Sequence, residues 1–147
     1  MWLYKGKEIN EITDLPKNTF GFVYQTTHTS EYKYIGKKSL IYNRKKKLGK
    51  KELITLRLEG KLGRLPKHKI VQVESDWKTY YGSHNFIKEA LSKKRHYEFE
   101  RKILEVAFNK KELTYLECKW QFNLNVLEDK GYLNDNILGK FFDKDFR

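Results

Sequence analysis

Hydrophobic and polar positions alternate most clearly between Phe20 and Thr27, where Phe20, Phe22, Tyr24 and Thr26 fall on one side and Gly21, Val23 and Gln25 on the other. That period of two predicts a strand. After the His28-Thr29-Ser30 turn the alternation resumes from Glu31 to Lys37, with Tyr32, Tyr34 and Gly36 opposite Lys33 and Ile35, so the two segments read as an antiparallel hairpin. Ser39 is placed to cap a helix carrying Leu40, Ile41, Arg44 and Leu48, which Gly49 would end. Further strands are expected at Ile70–Glu74 and His96–Val106, and a helix with Phe86, Ile87, Ala90 and Leu91 on one side. The last long helix has the strongest pattern: Asn109 and Glu112 form a capping-box variant, and Leu113, Leu116, Trp120, Leu124 and Leu127 follow as a buried stripe until Lys130-Gly131. The fold class expected is α/β (α+β), a small, mostly antiparallel sheet flanked by helices in a single domain. Residues 1–18, with a turn at Asp14-Leu15-Pro16, read as an N-terminal extension, and residues 19–147 as the domain, interrupted by a basic insert around 45–76.

Composition narrows the partners. The 147 residues carry 31 Lys and Arg against 19 Asp and Glu, a formal net charge of +12, with 39% hydrophobic residues. Such a length suits one domain with a real core, and so much positive charge favours a polyanion, because Lys and Arg that neutralise phosphates release condensed counterions. No apolar run approaches the roughly 18–20 residues that span a bilayer, and the start lacks a signal-peptide block, so a cytoplasmic protein with no membrane partner is expected. One cysteine, Cys118, excludes an internal disulfide, and with four scattered histidines it argues against a Cys-rich zinc site. The run from Lys45-Lys46-Lys47 to Lys69 is either a solvated basic loop or an insert that tracks phosphates; Ile54, Leu56, Leu58 and Leu62 suggest that part of it folds.

Two short stretches carry the chemistry. Gly21-Phe22-Val23-Tyr24 and Tyr34-Ile35-Gly36-Lys37 set two tyrosines on adjacent strands beside a glycine, where backbone can approach a ligand closely. Ordinary strand tyrosines would look the same. Their spacing, however, resembles the two named motifs of the GIY-YIG nuclease family, with Phe22-Val23-Tyr24 as a variant of the first and Tyr34-Ile35-Gly36 as an intact second. Arg44 stands eight residues after Gly36, similar to the family's helix-borne arginine, and Glu117, with Trp120 three residues on, resembles its metal-binding glutamate. The resemblance spans roughly residues 20–136.

The resemblance implies a metal-dependent DNA endonuclease, similar to phage homing or standalone enzymes and so at home in a host cytoplasm. It assigns Tyr24 to the attacking water, as base or positioner, Tyr34 to water or phosphate, Arg44 to a phosphate clamp, and Glu117 to one Mg²⁺ (or Mn²⁺). Lys37 looks like a supporting lysine. His84, with Tyr81 as competitor, occupies the territory of a family histidine that assists proton transfer; Asn134 or Asn136 resembles the family's late asparagine. Lys38, Lys45, Lys46, Lys47 and Asn136 are the expected phosphate and DNA contacts. Double-stranded DNA is the expected partner, with a homodimer forming on it. The rival reading is a noncatalytic nucleic-acid-binding protein that keeps the fold and charge; an RNA-binding protein is a third, needing neither Arg44 nor Glu117.

Overall fold

The computed structural model describes residues 1–60 and 63–146. The chain forms two compact units, one of Met1–Leu40 together with the chain from Asp76 onward, the other of Ile41–Ser75. The first holds a five-stranded sheet. Its strands are β1 (Trp2–Tyr4), β2 (Lys7–Ile9), β3 (Gly21–His28), β4 (Lys33–Ser39) and, later in the chain, β7 (Phe99–Ala107), in the order β2-β1-β7-β3-β4. All pairings are antiparallel except β1 with β7. The hairpin expected at Phe20–Lys37 is therefore present as β3 and β4, with Tyr24 opposite Gly36 and Thr26 opposite Tyr34.

Residues 1–18 are not an extension. Trp2, Ile9 and Leu15 are buried, and β1 lies against β7 with Trp2 beside Arg101, so burial of apolar side chains makes this segment part of the sheet.

Each sheet face has its own cover. Below it, Val23 and Ile35 pack with Leu113 and Leu116 of α3 (Lys110–Asn123) and with Val126, Leu127, Tyr132 and Ile137. As expected, Asn109 caps α3: its side chain accepts the Glu112 N–H at 2.9 Å, while the Glu112 carboxylate accepts the Phe108 N–H at 2.9 Å. The helix stops at Asn123, short of the expected Lys130-Gly131, because Asn125 takes a left-handed conformation at φ 53° that ends the hydrogen-bond ladder. Above the sheet, Trp2, Phe22, Tyr24 and Trp77 meet in edge-on ring contacts. The segment 76–84 leads over this aromatic layer into α2 (Asn85–Ser92), the helix predicted around Ile87. Two short strands, β8 (Asn136–Ile137) and β9 (Phe141–Phe142), pair near the C-terminus.

The second unit is a two-stranded ribbon, β5 (Ile41–Lys47) with β6 (His68–Glu74), and the helix α1 (Lys50–Leu58). The helix expected from Ser39 to Gly49 is absent. Ser39 ends β4, residues 41–47 pair along β6, and Gly49 precedes α1 instead of closing a helix. Strand pairing with a Val- and Ile-bearing partner some thirty residues away outweighs the weak helical spacing of Leu40, Ile41 and Leu48. Leu62 lies outside the described residues.

Candidate active site

β4 is an edge strand, and its outward-pointing backbone groups decide what gathers there. The Lys33 N–H donates to Gly131 O at 2.9 Å and the Leu133 N–H returns to Lys33 O at 2.7 Å. Next along the edge, Asn134 accepts the Ile35 N–H at 3.0 Å and donates to Ile35 O at 2.8 Å, where Gln121 also donates at 3.2 Å. Third in line, the Glu117 carboxylate lies close enough to the Lys37 N–H for that group to lower its pKa. A strand edge of this kind must be paired or wet. Here the side-chain amides of Asn134 and Gln121 pair the edge at Ile35, and Glu117 stands by Lys37 next to the second tyrosine motif. Asn134→Ala leaves the buried Ile35 amide without an acceptor and should lower stability by about 2 kcal/mol, whereas Asn136→Ala should cost under about 1 kcal/mol in the same urea titration. Asn136 only closes a turn, accepting the Gly139 N–H at 3.0 Å and donating to Asp135 at 2.8 Å.

On the opposite face of the sheet lie the two tyrosines. Tyr24 is 1% exposed, with its ring 6.3 Å from Tyr34 and edge-on at 6.0 Å from Tyr80. The glycine of the second motif serves this phenol directly: a Cβ on Gly36 would stand 2.5 Å from the Tyr24 hydroxyl oxygen. What approaches the Gly36 backbone closely is thus Tyr24 itself. Tyr34 is half-buried, and its hydroxyl meets Ser83 Oγ at 2.8 Å. Burial raises the pKa of both phenols, that of Tyr24 far more, and the neighbouring tyrosines and Glu117 push in the same direction. Both are therefore protonated at neutral pH.

Glu117 is half-buried on α3. Desolvation lifts its pKa above the usual carboxylate value, and the Lys37 charge and N–H pull it back only in part. Lys37 itself donates to Thr114 Oγ1 at 2.8 Å. Three residues on, Trp120 donates from its indole to Glu105 at 2.9 Å, fastening α3 to β7.

The 76–84 segment adds three side chains. Arg101, buried beneath it, donates to Lys78 O at 3.0 Å and Tyr80 O at 2.8 Å, while the Trp2 indole donates to Trp77 O at 2.8 Å. Held in this way, the segment delivers Tyr80 to Tyr24, Ser83 to Tyr34, and His84 to within 6.3 Å of the Tyr34 ring. His84 Nδ1 accepts the Phe86 N–H at 3.1 Å, which caps α2 and leaves the proton of a neutral ring on Nε2. Tyr81 turns the other way, its ring 3.9 Å from the Arg101 guanidinium and its carbonyl accepting the Thr26 hydroxyl at 2.6 Å. Of the His84 and Tyr81 pair, then, His84 is the one beside Tyr34. Tyr80 was invisible among the aromatics of residues 77–81; only the direction of each ring separates it from Tyr81. Lys38 stacks over Tyr80 at 4.2 Å and pairs with Asp76.

Arg44 belongs to the second unit. It stands exposed on β5, opposite Val71, with Lys45, Lys46 and Lys47 following it on the same strand.

A family model described as "Putative endonuclease segE, GIY-YIG domain" matches residues 2–137. The chain belongs to the GIY-YIG family. The match starts at residue 2, so the N-terminal strands lie within the GIY-YIG domain, and it runs through both tyrosine motifs and Glu117. Comparisons with curated proteins and with solved structures give no match. Among the described residues no helix is long and apolar enough to cross a membrane, and no group of three or more His, Cys, Asp and Glu is placed to hold a metal ion.

Proposed function

We propose that this GIY-YIG chain is a metal-dependent endonuclease that hydrolyses phosphodiester bonds of double-stranded DNA. The observation carrying this reading is the Tyr24–Tyr34 pair, rings 6.3 Å apart on one face of the β4 edge, with the half-buried carboxylate of Glu117, beside Lys37, close enough for its charge to act on both phenols. A lone half-buried carboxylate suits Mg²⁺ or Mn²⁺, since Mg²⁺ binds through one or two carboxylates and fills the rest of its sphere with water and phosphate oxygens. Glu117 would hold the ion, which supplies charge neutralisation at the phosphate and the leaving 3′ oxygen.

The chain's own groups do the rest. Tyr24, kept protonated by burial, would orient the attacking water through its hydroxyl. Tyr34, fixed by Ser83, donates to a nonbridging oxygen, and His84 Nε2–H is a second donor on that side. Lys37 and Lys38 add positive charge on either side of β4. Arg44, Lys45, Lys46 and Lys47 are offered by the second unit as phosphate ligands, Arg44 through its planar fork. One such site cuts one strand, so nicking is the primary product and a double-strand break takes two chains or two events. Supercoiled plasmid incubated with the protein should convert to the open-circular form with Mg²⁺ and stay supercoiled with EDTA; plasmid that stays intact while fully bound, across Mg²⁺ and Mn²⁺, would refute the assignment.

A further inference from the structure

The second unit is far more basic than the rest. Residues 41–75 contain eleven Lys and Arg against three Asp and Glu, a net +8 out of the chain's +12. Within it, residues directly opposite on an antiparallel pair share a face. One face of the ribbon therefore carries Ile41, Asn43, Lys45 and Lys47 opposite Glu74, Gln72, Ile70 and His68, and all of these but the half-buried Ile41 are exposed. The other face carries Arg44 and Lys46 opposite Val71 and Lys69; Val71 and Lys69 are half-buried, and an ion pair from Lys69 to Glu52 of 2.8 Å ties α1 to that side.

Not everything on the exposed face is explained by phosphate. Between the Ile41–Glu74 and Lys45–Ile70 pairs, Asn43 and Gln72 stand opposite each other, neither hydrogen-bonded through its side chain within the described residues, and next along the face Ile70 is 69% exposed. Phosphate tracking needs cations there and has no use for two amides and a bare isoleucine. Base edges do: Asn and Gln bond the N6 and N7 of adenine in the major groove, and an apolar side chain meets the thymine methyl. A two-stranded ribbon is also a shape that the major groove admits, and same-face neighbours on a strand, about 6.8 Å apart, span about two base-pair steps.

We propose that this face of the β5–β6 ribbon reads sequence in the DNA major groove, with Asn43 and Gln72 contacting adenine and Ile70 the neighbouring thymine, while the lysines around them hold the phosphates. This rests on the DNA-endonuclease reading for its partner, but its test does not require cleavage. The full chain in EDTA would be used to select from a duplex library with a randomised 12-base-pair centre, and affinities measured for the selected and a scrambled duplex. The expected result is a selected sequence containing adenine, with the ratio of the two affinities falling at least about tenfold in the Asn43→Ala/Gln72→Ala double variant and affinity for the scrambled duplex changing less than about twofold. Both positions are exposed, and a matching circular dichroism melt would show the variant folded. No sequence enriched by the full chain, an unchanged ratio in the variant, or an equal loss on both duplexes would overturn the assignment. Sequence selection without any cleavage in Mg²⁺ would instead uphold it and remove the nuclease reading.

Discussion

Glu117→Gln should abolish DNA cleavage, by at least about 10³-fold in single-turnover rate, and yet leave the protein as stable as the wild type or more so. The first half follows from the site's composition. No group of three or more His, Cys, Asp and Glu side chains among the described residues is placed to hold a metal ion, so the Gln variant loses the charged ligand on which the proposed ion depends. The second half follows from where the carboxylate sits. Its folded pKa is raised by desolvation, so the unfolded chain gives up this proton more readily than the folded one. Under that sign, Glu117 burdens the fold least when protonated at acid pH, and the burden grows as pH rises through the folded pKa. Gln keeps an oxygen for the Lys37 N–H without the charge. The difference in melting temperature, variant minus wild type, should therefore widen as pH rises from the ordinary carboxylate range through the raised folded pKa, and shrink again when Mg²⁺ is added to the wild type. A thermal scan across pH checks this, as does the rate profile, whose acidic limb should lie above the range of an exposed carboxylate.

Tyr24→Phe should lower the cleavage rate by about 10²–10³-fold with little change in DNA affinity. The ring is sealed against Trp2, Phe22 and the Gly36 backbone, and phenylalanine fills the same space. Loss of the buried hydroxyl should cost no more than about 1 kcal/mol, the worth of a single hydrogen bond. The catalytic loss should greatly exceed what that destabilisation explains at 25 °C, since a folded variant keeps its aromatic packing. Tyr34→Phe makes a useful contrast: its hydroxyl bonds Ser83 at a more open position, so stability should hardly move while the rate falls. Equal rates for wild type and Tyr24→Phe, in a variant shown to be folded, would remove Tyr24 from the chemistry and leave it as core.

The parts of this architecture legible in the sequence are those whose signals are local. The β3–β4 hairpin announces itself by strict alternation through Phe22, Tyr24 and Tyr34, and α3 by the Asn109 cap and the Leu113–Leu116 spacing. Signals that depend on distant partners do not show. β1 and β2 are three residues each, too short for a period, and owe their place to β7 lying beside Trp2. The segment after Ser39 carries no strong periodicity, so the pairing of Arg44 with Val71 decides its form. The site divides in the same way. Tyr24, Tyr34 and Glu117 stand in recognisable surroundings, whereas the placement of Tyr80 at Tyr24, and of Asn134 rather than Asn136 on the β4 edge, emerges only once Arg101 and the strand edge have fixed the segments around them. Arg44 shows the reverse: its spacing from Gly36 reads as a helix position, while the fold puts it on the ribbon.

Whether the rim of β4 cuts DNA is decided by a labelled duplex already bound by excess protein, so that affinity drops out. Started with Mg²⁺, wild-type protein should convert the prebound duplex to cleaved product in a single exponential, and Glu117→Gln, bound to the same extent, should leave it intact. Cleavage by Glu117→Gln at the wild-type rate, or no cleavage by wild type on fully bound duplex, would contradict the account.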